Sequence, residues 1–192
     1  SKCIEMIEPI INNAYQSKKN IRFDSEDSST TDKILKVCYS LNEKYPDTLG
    51  YTLQSNLFRS KDDLLELRKH NISIRLVKGA YKESNANAYK EKNRIRDNFL
   101  YLADMLKNNM HSNNAIATHD ESLLNELKTS HFKYELLYGV RRDIQNNLIY
   151  DKQKVGIYCP YGSNWFPYTI RRLKEFKNII FISRNIFKEW IN

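Results

Sequence analysis

Six short apolar runs, each followed by a helical stretch, constrain the fold of this chain more than any other feature of its sequence. Residues 21–23, 49–53, 72–77, 115–117, 134–137 and 155–157 read as strands bounded by turn residues. An amphipathic helix carrying Ile4, Ile7, Ile10, Ile11 and Ala14 precedes them. Helical spacing then recurs over residues 34–41, 61–69, 86–107, the stretch with Leu123, Leu124 and Leu127, residues 141–150, 168–176 and 186–191. Residues 28–32 supply candidate caps for the second helix, and Asp120 can cap the one that follows the fourth strand.

Strict strand-helix alternation argues an α/β fold: a parallel sheet with its helices on the outside. In such a sheet all strand C-termini lie on one side, and in a barrel they converge on one mouth. Each run here stops at a residue able to do chemistry, in order Asp24, Gln54, Lys78, His119, Tyr138 and Tyr158. The third is the richest. Ile72, Ile74 and Leu76 alternate with Ser73, Arg75 and Val77, and a cation, a glycine and an aromatic ring follow at Lys78, Gly79 and Tyr81.

A chain of 192 residues fits one domain spanning 1–192, and at that size roughly 70% of the unfolded surface can be buried without a staple. The cysteines Cys3, Cys38 and Cys159 are odd in number and far apart, and the four histidines show no ligand spacing, so neither a disulfide framework nor a metal site is expected. The net charge of +8 brings nucleic acid and anionic membranes into consideration. Yet the charge is dispersed except beyond residue 171, and the aromatics fall in strand ends and helices rather than on a basic platform, which argues against nucleic acid. No apolar run approaches the ~18 residues of a membrane-spanning helix.

Several runs together resemble proline dehydrogenase. They are Asp24-Ser-Glu-Asp27, Leu53-Gln-Ser55 with Phe58-Arg59, Arg75-Leu-Val-Lys-Gly-Ala-Tyr81, Ala117-Thr-His119, Leu137-Tyr-Gly139, and Tyr158-Cys-Pro-Tyr-Gly162 followed by Trp165-Phe-Pro-Tyr168 and Arg171-Arg172. The resemblance implies a (β/α)8-barrel, incomplete here, with FAD as cofactor. It also implies oxidation of L-proline to 1-pyrroline-5-carboxylate, the first step of proline catabolism, with electrons passed to a membrane quinone. A cytoplasmic protein, or one held peripherally at the inner face of the membrane, is expected.

On the family's pattern Tyr81, Tyr158 and Leu137 wall the substrate ring, Arg171 and Arg172 bind its carboxylate, and Asp24 is an acidic residue beside them. A planar guanidinium fork suits a carboxylate, although an isolated arginine pair on a helix is more often a solvated face, by about two to one. Gln54, Arg75, Val77, Lys78, Gly79, Ala80, Thr118, His119 and Glu175 fall on positions that contact FAD in the family. Glu135 and Lys133 depart from the family's pattern, in which glutamine and a glutamate-like residue are common. The family's barrel also starts with two strands that have no counterpart before the opening helix. Three arrangements follow from that expectation: a piece of a longer polypeptide, a barrel completed by another chain, a homo-oligomer included, or an open sheet that is catalytically inactive and acts as an interaction or assembly module.

Overall fold

The computed structural model describes residues 2–108, 111–128 and 132–163. Helix α1 (Lys2–Gln16) leads into β1 (Ile21–Phe23), α2 (Thr31–Lys44), β2 (Leu49–Gln54), α3 (Ser60–Lys69) and β3 (Ser73–Val77). Then come α4 (Lys92–Lys107), β4 (Ala115–Ile116), α5 (Glu121–Leu127), β5 (Lys133–Leu137), α6 (Arg142–Tyr150) and β6 (Lys154–Tyr158). The six strands form one sheet in chain order, and every neighbouring pair is parallel.

The period of two sorts side chains between the faces. Outward, Tyr51, Leu53, Ile74, Leu76, Ile116, Tyr134 and Leu136 are buried, in one cluster with Leu35, Cys38 and Leu41 of α2 and Phe99, Leu102 and Leu106 of α4. The Tyr134 hydroxyl, buried among them, donates to the carbonyl of Leu127 at 2.5 Å. Inward, the register aligns Arg22, Gly50 and Ser73 in one row, and Thr52, Arg75, Ala115, Lys133 and Lys154 in the next.

The sheet is curled. β1 and β5 are four strand spacings apart, about 19 Å in a flat sheet, yet Arg22 Nη1 donates to both carboxylate oxygens of Glu135 at 2.9 Å. Two side chains cannot span the flat distance. The strands therefore trace an arc of a (β/α) barrel with Arg22 crossing its interior.

Glycine makes room for that crossing. A Cβ on Gly50 would collide with Ser73 Oγ and lie 3.1 Å from Arg22 Nε, and one on Gly156 would lie 2.7 Å from Lys133 Cε. Interior cations thus lie over strands that have no side chain at those points.

Some expectations shift. α4 begins at Lys92 rather than at residue 86, because 84–91 forms turns in which Ala88 bridges Leu57 and Tyr89 N–H donates to Asn56 O. Ile10, placed on the buried face of α1, is 63% exposed, while Ile11 is the buried residue of that helix. Thr30 precedes α2 without a side-chain cap, and its hydroxyl instead donates to Asp27 O. Asp120 does cap α5, accepting from Ser122 and Leu123 N–H. The helices expected at 168–176 and 186–191 lie outside the described residues.

Candidate active site

The C-terminal ends of the strands enclose a cavity of about 600 Å³, inside the roughly 300–1,000 Å³ usual for ligand sites. Asp24 reaches it from β1 and Gln54 from β2. The third strand and the loop after it contribute Arg75, Val77, Lys78, Gly79, Ala80 and Tyr81, and Thr118 and His119 follow β4. Leu137 closes β5 and Tyr158 closes β6. Every candidate residue among the described residues therefore lines one space, although they are spread over more than a hundred positions of sequence. Arg171, Arg172 and Glu175 lie outside the described residues.

Arg75 is the hub. Its side chain, 12% exposed, reaches Asp24 by Nη2 and Glu135 by Nη1 at 3.3 Å, and Nη2 also donates to Thr52 Oγ1 at 3.0 Å. The Tyr158 ring lies 5.5 Å from its guanidinium carbon, a cation-π contact. Burial pulls Arg75 below its ordinary range against the pull of Glu135, but a guanidinium remains a cation at any working pH. Its Nε is buried without a hydrogen-bond partner.

Glu135 sits opposite, 11% exposed, with Arg22 and Lys133 also on it, the latter at 3.1 Å. Burial pushes its carboxyl up, but Arg22 and Lys133 together outweigh that and hold it below the ordinary carboxylate range. A barrel interior is usually filled with layers of branched apolar side chains. Here an Arg22-Glu135-Arg75-Asp24 chain of alternating charge occupies it.

His119 turns inward from β4, and its Nε2 accepts the Leu137 backbone N–H at 3.1 Å. Burial, reinforced by Arg141, lowers its pKa to about 4, so the ring is neutral near pH 7. That acceptor bond ties the end of β5 to the loop after β4. Gln54 is 3% exposed and donates Nε2 to Glu26 O at 2.9 Å, holding the loop after β1. The Tyr81 hydroxyl donates to Glu26 Oε2 at 2.5 Å, so the loop after β3 is joined to the same segment. Lys78 pairs with Asp120 at 2.5 Å, where burial would raise the Asp120 carboxyl but Lys78 and the capped N–H groups bring it below its usual value. Gly79 has φ +103°, a left-handed conformation in which any Cβ would also run into Asn56.

Tyr138, the expected end of the fifth strand, does not line the cavity and is 61% exposed, because Leu137 takes the inward position and Tyr138 the next one. Thr52, Asp120 and Glu135 line it without having been picked as site residues. The period of two could have found Thr52 and Glu135, which stand two residues before Gln54 and Leu137 on the same face.

A parallel strand-helix arc whose strand ends converge on one cavity is the layout of the (β/α)-barrel class, where sites sit at the C-terminal mouth. The sequence profile of the proline dehydrogenase family matches residues 3–180, and the chain belongs to that family. It is 31% identical over 192 residues to proline dehydrogenase 1 of Bacillus subtilis (strain 168), covering 94% of this chain and 62% of that protein. It is 34% identical over 180 residues to proline dehydrogenase of Deinococcus radiodurans, covering 88% of this chain and 57% of that one. The chain thus spans about three fifths of the length of these curated relatives. Among solved structures, proline utilization A from Bdellovibrio bacteriovorus, inactivated by N-propargylglycine, superposes with a TM-score of 0.78 at 21% identity. That match covers 88% of this chain and 21% of the other, and it shares the fold.

Proposed function

We propose that this chain carries the barrel region of an FAD-dependent proline dehydrogenase, which oxidises L-proline to 1-pyrroline-5-carboxylate and delivers the electrons to a membrane quinone. The observation that carries the reading is the gathering of residues from all six strand ends around one cavity, in a chain matched by the family over residues 3–180. Among the described residues no helix is long and apolar enough to cross a membrane. We place the protein in the cytoplasm or peripherally at the inner face of the membrane.

The cavity suits a flavin. It offers a cation with an unused buried donor at Arg75 Nε, a second cation at Lys78, and the left-handed turn of Gly79 on its lining. Gln54, Arg75, Val77, Lys78, Gly79, Ala80, Thr118, His119 and Glu175 would hold it. Bound there, FAD would supply the two-electron acceptor that no protein side chain provides.

The chain's own groups do the rest. Tyr81, Tyr158 and Leu137 present apolar surface that excludes water around the substrate ring. Arg171 and Arg172 bind the carboxylate through charge-assisted hydrogen bonds. Asp24 keeps the Arg75 guanidinium turned into the cavity. Neutral His119 fixes Leu137 through its backbone N–H rather than moving a proton.

The test is spectroscopic. The protein at its full natural length, reconstituted with FAD, is expected to be yellow and to bleach when L-proline is added without oxygen. A colourless protein that stays inert after FAD is supplied would overturn the reading and favour a non-catalytic assembly module.

A further inference from the structure

Glu135 stands at the floor of the cavity and is tied to cations from three strands: Arg22 of β1, Arg75 of β3 and Lys133 of β5. Salt bridges on a surface are weak and screened. This one is 11% exposed on the glutamate side and 12% on the Arg75 side, where unpaired charge is costly and geometry is held tightly. Arg75 itself lies between two carboxylates, Asp24 near the mouth and Glu135 beneath. Its remaining donor, Nε, has no partner.

We infer that Glu135 is a positioning residue: from β5 it fixes the orientation of the Arg75 guanidinium across the barrel interior and offsets part of the positive charge that the cavity floor presents to a bound ligand. Arg22 supports this arrangement from the opposite edge, through its two-oxygen contact with Glu135 and a 2.8 Å bond from Nη2 to Asn113 O. With Glu135 neutral, Arg22, Arg75 and Lys133 would face one another with only Asp24 left as counter-charge. A ligand that gains negative charge during turnover would then be favoured in its charged form.

The inference rests on the reading of the cavity as a flavin site, and the experiment separates the two. Glu135→Gln keeps an acceptor oxygen and removes the charge. In the FAD-loaded protein it is expected to favour reduced over oxidised flavin by about tenfold more than the unsubstituted protein does, which for a two-electron couple is a rise in midpoint potential of about 30 mV. Affinity for oxidised FAD, whose isoalloxazine is uncharged, should change less than affinity for the reduced form. A merely structural role would weaken flavin binding and stability without moving the potential, and an unchanged potential overturns the inference. Where Glu135→Gln proves too unstable to purify, Glu135→Asp withdraws the charge by one methylene and should give a smaller rise; no rise is again a refutation.

Should the unsubstituted protein take up no flavin, the flavin reading falls and the coupling is read in the ligand-free protein instead. A double-mutant cycle of Glu135→Gln and Arg75→Gln by urea unfolding should then show the paired substitution costing at least about tenfold less in the folding equilibrium than the two single costs combined. Additive costs overturn the positioning role.

Discussion

Gly50→Ala tests whether the interior is as tightly filled as the crossing of Arg22 requires. Gly50 pairs in register with Arg22 on one side and Ser73 on the other. A methyl at this position would collide with Ser73 Oγ and stand 3.1 Å from Arg22 Nε and 3.2 Å from Ser73 O. Ser73 is 1% exposed and its hydroxyl donates to Leu49 O at 3.3 Å, so neither neighbour moves freely. Overfilling a packed interior by one methylene costs about 1–3 kcal/mol. Replacing glycine returns about 0.5–1 kcal/mol, because the unfolded chain loses less freedom. Setting the middle of the first range against the middle of the second leaves a net loss of about 1 kcal/mol, or about 2–4 °C in Tm for a chain of this length. Urea unfolding should show a lower midpoint at constant slope, and the loss should shrink in a Ser73→Ala background, which removes the nearest atom. A Gly50→Ala protein as stable as the original would refute the account of why this position is bare.

Three other outcomes follow. The folded-state pKa of His119 is lowered from 6.5 to about 4, so its neutral form stabilises the fold above pH 6.5 and that contribution, about 3 kcal/mol, is lost as pH falls toward 4. Urea midpoints measured across that window should fall less steeply in His119→Gln, and identical slopes would remove His119 as the cause. Asp120→Ala removes the cap from α5 and should cost about 1 kcal/mol, while Asp120→Asn should cost only tenths of that; equal costs in thermal unfolding would show that the Lys78 pair, not the cap, is what matters. Arg172→Ala should raise the proline concentration needed for half-maximal turnover more than it weakens FAD binding, and unchanged proline kinetics would take Arg172 out of the substrate site.

Much of the cavity wall was legible because a parallel sheet with a period of two leaves little freedom. Once residues 72–77 read as a strand, Arg75 and Val77 had to share a face, and Lys78 and Gly79 had to stand at its C-terminal end. Taking the first residue after each strand as the one that faces the mouth misplaced Tyr138: the fifth strand ends at Leu137 as read, but Leu137 holds the inward position and Tyr138 the outward one. The start of α4 was misread because Ala88 and Tyr89 extend the helical pattern on paper, while in space they bond to residues 56 and 57.

From the sequence by itself came the order of strands and helices, the parallel α/β class, and the set of residues at the strand ends. These depend on local periodicity and on the single side toward which parallel strands point. Only the tertiary structure decided which of those side chains touch, because pairing distances depend on how sharply the sheet curls. That curvature brings Arg22 of β1 onto Glu135 of β5, 113 residues away, and makes an ionic floor of charges that, read along the chain, belong to unrelated strands.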